Sequence, residues 1–224
     1  TAVAAIARCA QLYDMPLIGI DRGYNGLLGK NPERDFVHLT LENALDMADQ
    51  AGTRLRTARC VELKYKEVQQ HAARILRDMD VSGLIVIGGD GSFRGGLDVM
   101  GYGGIPCVGI PGTIDNDLAY TEMTLGFDTV VNVCVDAVRS IRATSRSHDR
   151  PHVVEVMGRH CGDIALKASA GTGAEICIVP EVEWSIPDVA DRLSKLIAEG
   201  NPRATVVVAE GAWDSMKPFD WRRV

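Results

Sequence analysis

The first stretch able to do chemistry is Gly88-Gly89-Asp90-Gly91-Ser92, which directly follows the apolar run Leu84–Ile87. Glycines at this point let backbone N–H groups approach phosphate oxygens without a Cβ in the way. The carboxylate of Asp90 could hold Mg²⁺, which favours few carboxylates together with phosphate oxygens. The pattern therefore indicates a phosphate site, although a glycine-rich turn in which Asp90 caps the next helix would use the same residues.

A second polar stretch, Pro111–Asp117, follows the apolar run Cys107–Ile110. If this stretch is extended, Thr113, Asp115 and Asp117 point the same way, because side chains alternate along a strand. Clustered carboxylates are costly without a metal, a cation or a substrate hydroxyl to satisfy them. Phosphoryl transfer to an alcohol needs such a base or orienting group for the attacking hydroxyl. An Asx-type turn is the alternative, since Asp-Asn-Asp is good turn sequence.

Apolar runs and amphipathic stretches alternate along the chain, and these elements must position the two polar stretches. The apolar runs are short, continuous and rich in Val and Ile, which is typical of strands buried on both faces of a parallel sheet. They are Pro16–Ile20, Leu84–Ile87, Ile105–Ile110, Val153–Met157, Ile176–Val179 and Thr205–Ala209. The other stretches have helical periodicity or helix start and stop signals. They are Leu41–Ala51 with Thr40 as N-cap, Lys66–Met79, Phe127–His148 and Pro187–Glu199.

This alternation predicts a doubly wound α/β fold with mainly parallel sheets and flanking helices. We expect two similar α/β domains, residues 1–126 and 127–224, with the boundary near Gly126, where the longest helix begins. The chain opens at Thr1 inside a helical pattern, whereas an α/β unit normally begins with a strand. It ends at Trp221–Val224, soon after a strand. We therefore expect both domains to be incomplete here and the natural protein to be longer.

The composition argues against several classes of function. With 224 residues, 46% of them hydrophobic, the chain can bury a sizeable core. A net charge of −6 argues against nucleic acid as the main partner, and no apolar stretch is long enough to cross a membrane. The six cysteines are irregularly spaced and form no Cys-x-x-Cys pair. We expect reduced, mostly buried thiols in a cytoplasmic protein, without a disulfide framework or a zinc site.

Four motifs in a fixed order resemble the 6-phosphofructokinase family, and within it the bacterial, ATP-dependent type. They are Gly88–Ser92, Pro111–Asp117, Gly126-Phe127-Asp128-Thr129 and Met157-Gly158-Arg159-His160-Cys161-Gly162. The similarity runs nearly the whole length and includes Thr57-Ala58-Arg59-Cys60 and Val208-Ala209-Glu210-Gly211. The resemblance implies a glycolytic kinase that transfers the γ-phosphoryl group of MgATP to the 1-hydroxyl of fructose 6-phosphate, giving fructose 1,6-bisphosphate and ADP.

On the nucleotide side, the resemblance implies that Arg59 and Cys60 lie at the ATP and that Asp90 binds Mg²⁺. The residues implied to cradle the ATP phosphates are Gly89, Asp90, Gly91 and Ser92.

On the acceptor side, the resemblance makes Asp115 the proton acceptor for the sugar hydroxyl, with Thr113 assisting it. Arg159 would stabilise charge on the transferring phosphoryl group. The residues implied to bind fructose 6-phosphate are Thr113, Asp115, Asp117, Arg150, Met157, Gly158, Arg159 and Glu210. Arg150 would reach the sugar-phosphate site of a neighbouring subunit, which requires an oligomer, in this family typically a homotetramer.

Two glycines bear on the phosphoryl donor. Pyrophosphate-dependent members of the family usually have Asp at the position of Gly91 and Lys at the position of Gly112. Small residues there leave room for the adenosine side of ATP, so we predict ATP as the donor. A pyrophosphate-dependent enzyme and a catalytically silent, nucleotide-binding or regulatory fragment are the alternatives.

Four arginines recur at helical spacing: Arg139, Arg142, Arg146 and Arg150. A solvated helix face is the ordinary interpretation of such a series, and we apply it to the first and third. The resemblance implies that Arg142 lies at a nucleotide effector site with Arg8 and Glu175. Glu199 and Asn201 stand where the bacterial enzymes commonly have lysines. We therefore predict weak or altered control by nucleoside diphosphate.

Two further polar residues leave alternatives open. Glu155 lies inside an apolar strand, where a buried, hydrogen-bonded acid is the ordinary interpretation and a pocket acid the alternative. Of the two acids Glu155 and Glu210, only Glu210 matches a family ligand position. His160 follows Arg159, and we favour a structural role for it.

Overall fold

The structure is a computed structural model and describes residues 1–48 and 52–218. Within these ranges the chain is an α/β protein of seven strands and nine α-helices. The strands are β1 (Leu17–Ile20), β2 (Phe36–Leu39), β3 (Leu84–Gly88), β4 (Cys107–Pro111), β5 (His152–Val156), β6 (Ile176–Ile178) and β7 (Thr205–Ala209). The helices are α1 (Ala2–Leu12), α2 (Tyr24–Leu27), α3 (Pro32–Asp35), α4 (Leu41–Leu45), α5 (Lys66–Asp78), α6 (Asp90–Gly103), α7 (Phe127–His148), α8 (Asp163–Thr172) and α9 (Ile186–Ala198).

The chain divides into two compact units, Thr1–Ile110 and Pro111–Val224. This division falls at the end of β4, whereas the sequence placed a domain boundary near Gly126. The extent of the two functional domains, 1–126 and 127–224, stays a prediction.

In the first unit, β1 pairs with β2 in an antiparallel ladder, with Leu17 opposite Leu39. This pair is an antiparallel exception in a fold predicted to be mainly parallel, because the short link through α2 and α3 returns the chain beside β1 without a long crossover. Strand β3 lies beside β4. The core of this unit is apolar and includes Leu27, Leu76 and Val99.

The second unit has the predicted doubly wound arrangement around a parallel sheet in the order β5-β7-β6. Val207 on the central strand packs in a cluster with Phe127 of α7 and Ile164 of α8. The alternate residue Val208 packs in another cluster, which includes Leu193 of α9. Helices therefore cover both faces of β7, and all of its residues are buried.

Three of the other strands, β3, β4 and β5, are not buried on both faces, although their continuous apolar runs predicted it. β3 exposes Ile85 and Ile87, β4 exposes Val108, and β5 exposes Val153. Their own unit packs helices against one face of each of these strands, whereas β7 lies between two neighbours with helices on both sides. Apolar composition alone did not distinguish a central strand from an outer one.

The predicted N-cap at Thr40 is confirmed, because its hydroxyl accepts from the N–H of Asn43 and the Asn43 side chain accepts in return. The helix that follows is shorter than predicted and ends at Leu45. The last residues of that predicted helix, 49–51, and the C-terminal 221–224 lie outside the described residues. No helix in the described part of the chain has both the length and the apolar character that a membrane crossing requires.

Candidate phosphate and acceptor sites

The glycine-rich stretch of the first unit leads directly from strand to helix. β3 ends at Gly88, Gly89 is the N-cap of α6, and Asp90 is the first helical residue. The first-turn N–H groups of a helix lack intrahelical partners and, with the helix dipole, favour anions. The Asp90 carboxylate lies 3.0 Å from Arg94 one turn later, and both side chains are exposed. The local geometry thus suits phosphate, and Asp90 does not serve as the N-cap that the alternative interpretation required.

The glycines of this stretch differ in whether the surrounding atoms leave space for a side chain. A Cβ at Gly88 would lie 2.5 Å from the Ser92 hydroxyl oxygen, so packing alone requires glycine there. A Cβ at Gly91 would meet nothing within 4 Å, and its backbone is not in the left-handed region. Packing in the described structure therefore does not explain Gly91.

Helix α2 connects the two segments that were predicted to contact ATP. The hydroxyl of Tyr24 donates to the carbonyl oxygen of Ser92 (2.5 Å), and Asn25 Nδ2 donates to the carbonyl oxygen of Arg59 (3.0 Å). Burial, and then the neighbouring Cys107 and Asp98, raise the pKa of the Tyr24 hydroxyl, which stays a donor. Sequence reasoning missed both α2 residues. Their position just after β1, where ligand-site residues collect in α/β units, was the available signal.

Cys60 is half-buried against the core of the first unit. The six cysteines are free thiols. The expectation that most of them are buried is wrong, because Cys9 is exposed and the other five are half-buried.

A cluster of charges holds the chain just before Arg59. Arg56 makes two hydrogen bonds to the carboxylate of Asp21, which is 5% exposed. These bonds, together with the positive charges of Arg56 and Arg22, lower the pKa of Asp21 despite its burial. Arg22 also binds Asp35 at 3.0 Å, and its own N–H donates to the carbonyl oxygen of Leu55. The loop before Arg59 is therefore attached to the end of β1.

In the second unit, the stretch after β4 bends instead of continuing as a strand. Asn116 has φ 55°, and residues 114–115 form a bend. The proposed alternation of Thr113, Asp115 and Asp117 along an extended segment is therefore wrong. The reason is that asparagine tolerates the left-handed region, because its side chain can hydrogen-bond locally. The N–H of Asp115 donates to the Thr113 hydroxyl at 3.2 Å, so these two predicted residues are in contact.

The structure nevertheless brings most of the predicted acceptor residues of this unit together around Asp115. Burial raises the pKa of Asp115, and the negative charges of Asp117 and Glu210 raise it further. The positive charge of Arg159 acts in the opposite direction, as does His160 when it is protonated. Asp115 is thus a half-buried carboxylate with acids and cations around it, which suits a base that must take up a proton.

Glu210 holds the loop that carries Arg159. It follows β7 directly, and its carboxylate accepts from the N–H groups of Gly158 (3.2 Å) and Arg159 (2.8 Å). The loop backbone is left-handed there, with φ 138° at Gly158 and 53° at Arg159. A Cβ at Gly211 would lie 1.9 Å from the carbonyl oxygen of Arg159, so glycine is required where this loop passes. Met157 at the start of the loop is exposed.

The two residues left open by the sequence are placed as follows. Glu155 is exposed, and its carboxylate accepts from the indole N–H of Trp213 at 2.8 Å. The expectation of a buried acid is therefore wrong, because Glu155 lies on the outer face of β5, although its hydrogen bond exists. His160 Nδ1 lies 3.6 Å from Asp214, and both side chains are exposed. Trp213 also packs edge-on against Trp184, with ring centroids 5.3 Å apart.

The arginine series of α7 does not act as one group. Arg142 lies 3.1 Å from Glu175 and also donates to the carbonyl oxygen of Gly173. Burial alone would raise the pKa of Glu175, but hydrogen bonds from Thr205 N–H and Asn201 and the charge of Arg142 together lower it. A surface cavity of about 260 Å³ adjoins this pair and is lined by Arg142, Arg146, Gly200, Asn201 and Arg203.

The other predicted arginines are described each within its own unit. Arg139 lies 3.9 Å from Asp136 and donates to the carbonyl oxygen of Gly171. Arg150 is exposed between α7 and β5. Arg8 is exposed on α1 of the first unit.

Comparison with known proteins agrees with this geometry. The family model for phosphofructokinase matches residues 1–220. The chain is 47% identical over 210 residues to the ATP-dependent 6-phosphofructokinase of Clostridioides difficile, covering 94% of this chain and 64% of that protein. It therefore spans slightly less than two thirds of the length of the curated relatives that it matches.

Solved structures give the same result. A phosphofructokinase from Saccharomyces cerevisiae superposes with a TM-score of 0.82 at 30% identity, over 94% of this chain and 31% of the yeast chain. A pyrophosphate-dependent phosphofructokinase from Marinobacter aquaeolei superposes with a TM-score of 0.73 at 22% identity, over 94% of this chain and 56% of that chain. At that identity the second likeness concerns the fold alone.

Proposed function

The chain belongs to the phosphofructokinase family, and from that premise we propose that the full-length protein transfers the γ-phosphoryl group of MgATP to the 1-hydroxyl of fructose 6-phosphate. The products are fructose 1,6-bisphosphate and ADP. The observation that carries the proposal is the environment of Asp115, whose raised pKa and cationic neighbour Arg159 suit a base beside a phosphoryl group.

We assign the steps of the acceptor side as follows. The proton of the sugar hydroxyl passes to the Asp115 carboxylate while the hydroxyl oxygen attacks the γ-phosphorus. Thr113, whose hydroxyl accepts from the N–H of Asp115, orients the base. Arg159 balances charge on the transferring group. We place the sugar phosphate against Asp117, Met157, Gly158 and Glu210, and against Arg150 of a neighbouring subunit in a homotetramer.

Mg²⁺ fits the residues at the start of α6. The described residues contain no group of three or more side chains able to hold a metal ion, and Mg²⁺ bound to a nucleotide needs only one or two carboxylates beside the phosphate oxygens. Asp90 supplies one exposed carboxylate there, after separating from Arg94. The metal would neutralise negative charge on the phosphates during transfer. The N–H group of Gly91 and the hydroxyl of Ser92 would hold the phosphates themselves, since the N–H of Ser92 already donates to the carbonyl oxygen of Gly89.

We propose ATP as the donor because Gly91 leaves open space beside Asp90. Packing does not require a glycine at this position, since a Cβ there would meet nothing within 4 Å. Relatives named as ATP-dependent are 47% identical to this chain, whereas the similar pyrophosphate-dependent structure is 22% identical. Arg59 and Cys60, held near Ser92 through α2, are assigned to the nucleotide. We assign the protein to the cytoplasm, where glycolysis takes place.

The proposal is tested by an aldolase-coupled assay of the full-length protein with ATP and with pyrophosphate in parallel. Turnover with ATP, and little with pyrophosphate, is expected. Turnover with pyrophosphate alone would show that the protein is a pyrophosphate-dependent enzyme. Turnover with neither donor would favour a catalytically silent, regulatory role.

A further inference from the structure

Every polar atom of the Asn116 side chain is engaged in hydrogen bonds. Its Nδ2 donates to Asp163 Oδ2 (3.0 Å) and lies 3.4 Å from the carbonyl oxygen of Glu122. Its Oδ1 accepts from the N–H of Thr124 at 3.1 Å. The Thr124 hydroxyl donates in turn to the carbonyl oxygen of Thr113 at 2.6 Å, and Thr124 is only 4% exposed. The side chain therefore joins three separate segments of the second unit.

The backbone of Asn116 has its own role in this arrangement. Its φ of 55° puts it in the left-handed region between the two aspartates of the acceptor loop, directly after the bend at residues 114–115. Asp117, the next residue, is close enough for its charge to raise the pKa of Asp115. A left-handed backbone is unfavourable for a residue other than glycine unless hydrogen bonds of its side chain compensate. The bonds to Thr124 and Asp163 provide that compensation.

The partner Asp163 is the first residue of α8, and it directly follows the loop that carries Arg159. The bond between Asn116 and Asp163 therefore ties the acceptor loop to the loop of Arg159. Glu210 holds that same loop from the other side through the N–H groups of Gly158 and Arg159. The position of Asp115 relative to Arg159 thus depends on the Asn116 bond.

We propose that Asn116 is a positioning residue, which fixes the Asp115 carboxylate relative to the Arg159 loop through its bonds to Asp163 and Thr124. The inference rests on the proposed function, because it concerns the base and the phosphoryl-stabilising cation of that reaction. No contact between Asn116 and the substrates is assigned.

The central test is Asn116→Asp in the full-length protein, which keeps the size of the side chain but turns a carboxylate toward Asp163. A displaced base should lower kcat by about 10- to 100-fold, since a misplacement of 1 Å is enough for such a loss. The KM for ATP should change little. Asp163→Asn alone should be mild, because its amide oxygen still accepts from Asn116.

The double variant Asn116→Asp/Asp163→Asn restores one donor and one acceptor with their direction reversed. It should recover most of the kcat per folded molecule that Asn116→Asp loses, whereas a merely structural role predicts that none of these variants changes kcat per folded molecule. Asn116→Gly keeps the left-handed backbone without adding charge, and it should lose kcat to a similar extent even if the charged variant fails to fold. Asn132→Asp, on the exposed face of α7, is the matched control and should leave kcat unchanged.

The possible results distinguish a failure of the positioning role of Asn116 from a failure of the proposed kinase activity. Absence of turnover with ATP in the unsubstituted protein overturns both. Turnover there, together with an undiminished kcat in Asn116→Gly, overturns the positioning role alone. A double variant that is no faster than Asn116→Asp has the same consequence. A lowered melting temperature with normal kcat per folded molecule would make Asn116 merely structural.

Discussion

At the scale of single residues, Asp115 is held in surroundings that disfavour its charge. Burial and two neighbouring acids raise its pKa, and the cations of the Arg159 loop only partly offset them. A carboxylate that is costly to ionise gains by accepting a proton, so the same contacts that suit a base also reduce the stability of the folded protein at neutral pH. A trade between activity and stability at this position follows.

Asp115→Asn should therefore lower kcat by about 10²- to 10⁴-fold, the usual contribution of a positioned base. Because the folded pKa is raised, the stabilising contribution of Asp115 is present at low pH and is lost as pH rises through that pKa. The variant should thus melt no lower than the unsubstituted protein at neutral pH. Kinetics and thermal melts check both points, with Asp136→Asn on exposed α7 as control.

The pH profile of the unsubstituted full-length protein gives a separate prediction. Activity should fall on the acid side as Asp115 takes up a proton, and the midpoint should lie above the pKa of an ordinary aspartate. A profile of kcat/KM against pH measures this midpoint. An acid limb at or below the ordinary value would contradict the assignment of Asp115 as the base.

Gly91 allows a direct test of the donor. Gly91→Asp places a second carboxylate beside Asp90 in open space at the start of α6, where the helix dipole tolerates it. Like charge beside the phosphates should raise the KM for ATP by about tenfold or more. Gly101→Asp adds the same group in open space near the other end of α6 and is the control. Equal ATP kinetics in both variants would contradict the donor assignment.

At the scale of elements, most helices and strands were predictable from the sequence. Their burial and their pairing partners were less predictable. The long helix α7 has the predicted bounds, and β7 has the predicted burial. The antiparallel partner β2 was missed, because its four residues, Phe36–Leu39, carry a histidine and show no long apolar run. The bend at residues 114–115 and the left-handed Asn116 were missed because alternation in a sequence does not reveal whether the backbone is extended.

The site residues divide in the same way. The motif residues were found because they stand in glycine-rich or polar stretches after apolar runs and match the motifs of a known family. Tyr24, Asn25 and Asn116 support the site through contacts between distant segments. Such contacts depend on packing, which a single sequence does not specify.

The loop before Arg59 gives a prediction at this scale. Arg56 combines a left-handed backbone with an ion pair to buried Asp21, so Arg56→Ala should lower the melting temperature, because it leaves the Asp21 carboxylate without its main partner. Arg56→Gly should lose less, because glycine adopts this conformation without strain. Thermal melts of the full-length protein compare the two, with Arg54→Ala in the same loop as control. A larger loss for the glycine variant would contradict this account.

The same ion pair has a defined pH dependence. The pKa of Asp21 is lowered in the folded protein, so its stabilising contribution is present above the unfolded pKa and is lost as pH falls through the folded value. Stability should therefore decline at acid pH less steeply in Arg56→Ala than in the unsubstituted protein.

At the scale of the whole molecule, the cavity beside Arg142 bears on regulation. Arg142 already donates to Glu175 and to the carbonyl oxygen of Gly173, and Asn201 also donates to Glu175. A nucleoside diphosphate would have to compete for cations that are partly engaged. ADP should therefore shift the half-saturation for fructose 6-phosphate by less than about fivefold, the lower end of ordinary allosteric coupling. Strong activation in an ADP titration of the full-length protein would contradict this prediction.

The paired indoles of Trp184 and Trp213 have an optical consequence. Both tryptophans of the described residues lie in the second compact unit, and the third, Trp221, lies outside those residues. The emission of this pair therefore observes the second unit. Trp213 lies three residues beyond Glu210, and its emission depends on its hydrogen bond to Glu155 and on the neighbouring ring of Trp184. A change in emission on adding sugar phosphate would thus report locally on the acceptor side, without any label.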